Sequence, residues 1–514
     1  MSKLSSLIQL IHSLSKSERK KFFSAQHIGE NNADYLFLYK LIDQHPLYSE
    51  EQIKKEYAKA RHGSALNTSV NYLFDTLLSA LSQLRTDQDS FYRLFNLLMN
   101  AKVLYEKSMY QECFPLLLKI QKEATKHENF PILLIAQKME LDYLLTLDFP
   151  EIDEQELLNK QYKINETQKK IRKTNEHAAL YELLKHRILH KGTTRSSKQK
   201  QDLNDLVISE MSLVSSSSLD NFEIQKNHKL FQSNYLINVG DYKSALNSFR
   251  ELNSLFEQNR HLLSNPPIYY LMTIEGVLES LRSIKDYQGM DYFITQLEHL
   301  ETASNHFSIQ IQSVVFLYTL FPLLDTGKFE EARTLINKNK EGLYDKMNQL
   351  IASRQVQLTL YTALVYLGTK EFIKARKIIG QIQMGNTTLY PLPLFRTIRL
   401  VNLMILHELN EPDYMASEIR SLKRLIQNKE KMYQIEIFML KLLQKPLRNL
   451  SKENRNTLWL KTEPELKKFQ NDKFEFQLLH IFDFTAWIES KILDKPLGEV
   501  LRDKASETKK HHQT

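Results

Sequence analysis

The chain has 514 residues, 42% of them hydrophobic and 25% charged, with a formal net charge of +8, a balance that excludes a disordered polymer and does not demand nucleic acid. Glycine and proline number only 12 and 13, which argues against a turn-rich sheet protein and for helices. A lone cysteine, Cys113, excludes an intrachain disulfide framework and an all-cysteine metal site, and suits a reducing compartment.

At the N-terminus, "MSKLSSLIQLIHSLSKSERKKF" is amphipathic rather than a secretory core, because Gln9, His12 and several serines interrupt its apolar run. Leu4, Leu7, Ile8, Ile11 and Leu14 mark one helix face. Ser15 with Glu18, and Ser49 with Gln52, have the spacing of reciprocal helix caps. A last helix through "LNTSVNYLFDTLLSALSQL" completes a helical module over residues 1–88. The most apolar interior run, "VVFLYTLFPLL" at 314–324, is about half of the roughly 20 residues a spanning helix needs, so no membrane span is expected and cytoplasm is the expected location.

From residue 89 a short motif recurs: "SMYQECF", "GDYKSAL", "KDYQGMD", "GKFEEAR", "KEFIKAR" and "PDYMASE". Its aromatics are Tyr110, Tyr242, Tyr287, Phe329, Phe372 and Tyr414, and the last four steps are 45, 42, 43 and 42 residues. A fixed period in this range marks a repeat array. The gap of 132 residues from Tyr110 to Tyr242 leaves room for two degenerate units. Gly240 and Gly327 suit the sharp end of a first helix, and the aromatic plugs the angle between two helices. Three residues on, Cys113, Ala245, Ala332, Ala375 and Ser417 are small enough for close helix approach, whereas Met290 is not and predicts a looser hairpin.

The motif resembles the turn half of the tetratricopeptide repeat (TPR), over residues 90–450, with the first-helix marks weak and a period longer by eight or more. The chain is also similar to large bacterial TPR-like proteins, a likeness that brings no known activity. The resemblance implies an all-α, right-handed α-α superhelix over 89–450, with a polar break near 190–220. Capping helices over 451–501 and a disordered tail over 502–514 complete the expected organisation. The aromatic run "FEFQLLHIFDFTAWIESKIL" either caps the array or forms a homo-oligomer surface.

No phosphate-cradling glycine loop, metalloprotease motif or nucleophile elbow occurs, so no enzyme, cofactor or metal site is expected. Glu182, His186 and His190 share a helix face at steps of four and read as a solvated surface. Cys113 reads as a packing residue. By the family's register, the concave face presents Asn227, Leu230, Asn234 and Ile237, then Met272, Glu275, Glu279 and Arg282, and later Arg399, Asn402, Leu406 and Leu409. Its amides and charges suit the backbone of an extended peptide, so protein or peptide binding by a scaffold is the expected function. Val314, Leu317, Phe321, Leu324, Leu360, Leu364 and Leu367 form an apolar set that reads as buried. The alternative is a nucleic-acid-associated regulator, with Lys185, Arg187, Lys191, Arg195, Lys198 and Lys200 contacting phosphate.

Overall fold

The computed structural model describes residues 2–25, 34–46, 48–61, 65–86, 89–191, 197–216, 219–264, 266–300, 302, 304–385, 393–427, 433–445 and 451–511. Every regular element among them is helical, and consecutive helices pack as neighbouring pairs, an arrangement compatible with a helical repeat. The chain divides into two compact units. One comprises Met1–Asn175 with His261–Pro266 and Glu301–Ser308; the other comprises Glu176–Arg260, Pro267–Leu300 and Ile309–Thr514.

In the first unit, helices Lys3–Ser13, Lys16–Ala25, Asp34–Gln44, Glu50–Ala60 and Leu66–Thr86 enclose Leu7, Ile11, Tyr39, Ile42, Tyr57 and Leu73. Both expected caps form. The Ser15 amide donates to Glu18 Oε2 at 2.8 Å while the Glu18 amide donates to Ser15 Oγ at 3.2 Å. Ser49 and Gln52 do the same at 2.7 and 3.3 Å. Such caps satisfy amides that a helix start leaves open. Helices Ser90–Glu106, Tyr110–Lys126 and Phe130–Thr146 build a second core around Leu94, Cys113, Leu117 and Ala136.

From Phe222 onward the pairs in chain order are Phe222–Asn238 with Tyr242–Gln258, Ile268–Ser283 with Tyr287–Glu298, Asn305–Asp325 with Phe329–Lys338, Ala352–Gly368 with Phe372–Gly385, and Pro393–Leu409 with Pro412–Gln427. One backbone device makes every turn. A residue with φ between 58° and 80° ends the first helix: Ser108, Asp148, Gly240, Lys285, Gly327, Lys370 and Asn410. The next amide then bonds five residues back, as from Asp241 to Leu236 at 2.9 Å and from Glu411 to Leu406 at 3.1 Å. This bond satisfies a carbonyl at the helix end and reverses the chain.

The motif aromatics Tyr110, Tyr242, Tyr287, Phe329 and Phe372 each open the second helix of their pair. Cys113, Ala245, Ala332 and Ala375 are fully enclosed, and so is Met290. First helices yield to aromatics as well: a Cβ on Gly276 would lie 2.3 Å from the Phe249 ring, and one on Gly368 2.1 Å from the Phe329 ring. These glycines are first-helix contact marks that the local motif did not single out. Replacing Ala245 by Leu is expected to lower stability by about 2 kcal/mol through overpacking, read from the urea midpoint.

One expectation is corrected, and three others are set beside what the structure describes. In the last pair the helix starts at Pro412, two residues after the left-handed Asn410, so "PDYMASE" is two residues out of register; Tyr414 is 64% exposed and Ser417 lies on the surface. Between Tyr110 and Tyr242 the same device recurs at Glu128, which joins Tyr110–Lys126 to Phe130–Thr146, and one further hairpin turn is described, at Asp148, followed by a 38-residue helix, Glu154–Lys191. By spacing, a second turn would fall near 192–196, outside the described residues. At the C-terminus, helix Leu497–His511 continues beyond Leu501, with Lys504 donating to Thr485 Oγ1 at 2.7 Å. Finally, one helix among the described residues, Asn305–Asp325, is long and apolar enough to cross a membrane, although most of it is buried in protein.

Candidate functional site

The left-handed residue supplies a common ruler for the first helices. Positions 13, 10, 6 and 3 before it are those assigned to the concave face: before Gly240 they are Asn227, Leu230, Asn234 and Ile237, and before Lys285 they are Met272, Glu275, Glu279 and Arg282. Before Asn410 the ruler selects Thr397, Leu400, Met404 and His407 rather than Arg399, Asn402, Leu406 and Leu409. Arg399 instead pairs with Glu418 of the following helix at 2.7 Å, and Asn402 is buried.

None of the ruler positions of the second unit is exposed. The apolar set from Val314 to Leu367 is buried as expected. The polar positions are bonded inside the unit. Lys185 donates to Asn234 Oδ1 at 3.0 Å, and Asn227 is buried. Arg354 forks onto both Glu275 oxygens at 2.7 Å. Arg282 forks onto Asp325 at 3.0 Å through two nitrogens, lies 3.7 Å over the Phe321 ring and donates to the Ile481 carbonyl at 3.4 Å. Glu279 accepts from Tyr318 at 2.9 Å and lies 2.7 Å from His480 Nε2.

The C-terminal segment supplies several of these partners. Gln477 donates to the Asn238 carbonyl at 3.0 Å, Tyr242 meets Phe476 edge to face and His480 at a tilt, and a Cβ on Gly327 would lie 2.5 Å from the Gly498 carbonyl oxygen. Phe482, Phe484, Trp487 and Ile488 from the aromatic run are buried, so that run packs within its own unit.

In the first unit the same ruler gives Phe95, Leu98, Lys102 and Tyr105 before Ser108, and Ile135, Lys138, Asp142 and Leu145 before Asp148. Here the face is open. Leu98 is buried and Tyr105 half-buried, but Phe95, Ile135 and Leu145 are 40%, 42% and 59% exposed, with Lys102, Lys138 and Asp142 exposed beside them. Phe91, Met99 and Val103 extend the apolar surface along Ser90–Glu106. Sequence reasoning missed both sets: before Ser108 the motif "SMYQECF" was read but no first-helix register was counted back from it, and the turn at Asp148 carries "DFP" in place of Gly-x-aromatic.

Within the basic segment, Arg187 forks onto Asp205 at 2.7 and 2.6 Å and also donates to the Asp202 carbonyl at 2.8 Å. Asp205, on the helix Asn204–Ser216, thus supplies the acid missing within the run. Burial pushes the Lys185 ammonium below its ordinary pKa. Lys200 is half-buried, and the side chains of Lys191, Arg195 and Lys198 lie outside the described residues. Glu182, His186 and His190 are exposed. The Cys113 thiol donates to the Ala101 carbonyl at 3.3 Å, and burial raises its pKa, the opposite of what a nucleophile needs. No family model matches the chain, and no curated protein matches it.

Proposed function

We propose that this chain is a TPR-like, non-enzymatic scaffold of the cytoplasm that binds an apolar-anchored protein segment along the first-helix face of its first unit. The observation that carries the reading is the contrast on one ruler: positions buried or internally bonded in the second unit are exposed in the first, with Phe95, Ile135 and Leu145 interleaved by Lys102, Lys138 and Asp142. Exposed apolar side chains rimmed by charge are the composition of a protein-binding surface. Asn227, Glu275, Glu279 and Arg282 serve the second unit's own cohesion in this state. Phosphate contact has no comparable observation behind it, since Lys185 and Arg187 are already engaged by Asn234 and Asp205.

The test is affinity capture from nuclease-treated native extract with the wild-type chain and with a Phe95→Lys/Ile135→Lys variant. Surface changes of this kind leave stability within about 0.5 kcal/mol. The expected result is a protein partner retained at raised salt by the wild type and reduced at least tenfold with the variant, because an apolar contact is not screened. Equal recovery by both proteins, or recovery of nucleic acid alone before nuclease, would overturn the reading.

A further inference from the structure

Three helices bring together residues of the second unit that no short motif links. His177 lies on Glu154–Lys191, Glu210 on Asn204–Ser216 and His228 on Phe222–Asn238. They are 1%, 4% and 7% exposed. Glu210 Oε1 stands 2.6 Å from His228 Nδ1 and 3.4 Å from His177 Nδ1, and one ligand atom from each residue falls within 4.8 Å of the others. Neither ring nitrogen of His177 has a hydrogen-bond partner, and Glu210 Oε2 has none either. Buried polar groups are almost always paired, so a ring and a carboxylate oxygen left unpaired beside His228 ask for a partner that one nitrogen of His177 and Glu210 can share.

We propose that His177, Glu210 and His228 form a buried binding site for one divalent transition-metal ion of the zinc class. Two imidazoles and one carboxylate are a donor set that zinc accepts, with a fourth position left for water. The absence of a thiolate disfavours copper(I), and a single carboxylate offers too few oxygens for calcium or magnesium. One nitrogen of each ring binds while the other keeps its hydrogen. Two nitrogens at about 2.1 Å from one ion stand at most about 4.2 Å apart. Loading requires the two ring nitrogens within that distance and replaces the hydrogen bond between His228 and Glu210 with metal bonds. The ion ties three helices together from within their buried interface, which gives it a structural role rather than a catalytic one.

The test uses the full chain, stripped with chelator and titrated with Co2+ and then Zn2+. The expected result is one equivalent of Co2+ with the intense visible absorption of a four- or five-coordinate centre, bleached by Zn2+, and a thermal midpoint raised by Zn2+. Glu210→Gln and His228→Ala are expected to lose the band. His186→Ala/His190→Ala, which removes the exposed pair able to chelate metal on the surface, is expected to keep it. Should the core variants fail to fold, X-ray absorption on the zinc-loaded wild type decides, with two imidazoles and an oxygen donor supporting the site. Only weak six-coordinate absorption, or a band lost with the surface pair and kept in the core variants, overturns the proposal.

Discussion

Replacing Arg282 by Met is expected to lower the stability of the second unit by about 3–5 kcal/mol, the cost of breaking a buried ion pair from one side. The guanidinium is 3% exposed and holds four groups at once: the Asp325 carboxylate, the Phe321 ring, the Tyr361 hydroxyl at 3.4 Å and the Ile481 carbonyl. Methionine keeps most of the volume and removes the charge. Asp325, on the helix Asn305–Asp325, then keeps the Tyr287 hydroxyl at 3.2 Å and whatever water reaches the 24% of its side chain that is exposed. The measurement is urea unfolding at fixed salt, with Asp325→Asn and the double variant completing a cycle. A double variant more stable than Arg282→Met places much of the loss in the stranded carboxylate, as the geometry requires. A loss below about 1 kcal/mol for Arg282→Met would mean that the pair is solvated, and would remove the argument that this register is closed from within.

How far the sequence carries depends on the range of each signal. Caps and turns are local, so the Ser15–Glu18 and Ser49–Gln52 pairs and the helix starts at Tyr110, Tyr242, Tyr287, Phe329 and Phe372 were legible. The last hairpin was misread because side chains were used as the ruler. Tyr414 imitates the aromatic, but the chain turns where a residue adopts positive φ, at Asn410. The Asp148 turn escaped for the complementary reason, having the backbone device without the side-chain motif.

The fate of Arg282 was not legible, because Asp325 lies 43 residues away and Ile481 lies 199 away. A helix-face pattern can say that a charge shares a face with Glu279, but not that a distant segment reaches it. The same holds for His177, Glu210 and His228, whose spacings of 33 and 18 residues match no short ligand motif. Conversely, Glu182, His186 and His190 had attractive helical spacing and face solvent. Proximity along one helix places residues on a common face; burial between helices makes such a face a candidate site.

Acid unfolding offers a separate reading of the second unit's polar network. Burial alone would raise the Glu279 carboxyl, but His480, the Arg282 charge and the Tyr318 hydroxyl outweigh it and hold the pKa at about 2, against an ordinary 4.5. A carboxylate depressed on folding adds stability above its unfolded pKa, and that stability is lost as pH falls toward the folded value. For Glu279 the window runs from 4.5 down to about 2, and at 1.36 kcal/mol per unit it represents about 3 kcal/mol at neutral pH. Glu279→Gln is therefore expected to be less stable by about that amount at pH 7 and to show a flatter decline between pH 4.5 and 2.5. Against their burial, Asp483 is also held low by Lys504, and Glu210 by His177 and His228. Both act in either protein, so the difference between the two urea-midpoint curves isolates Glu279. Parallel curves would show that the Glu279 carboxyl titrates as in an unfolded chain, and that the contact with His480 adds nothing to the closure of this face.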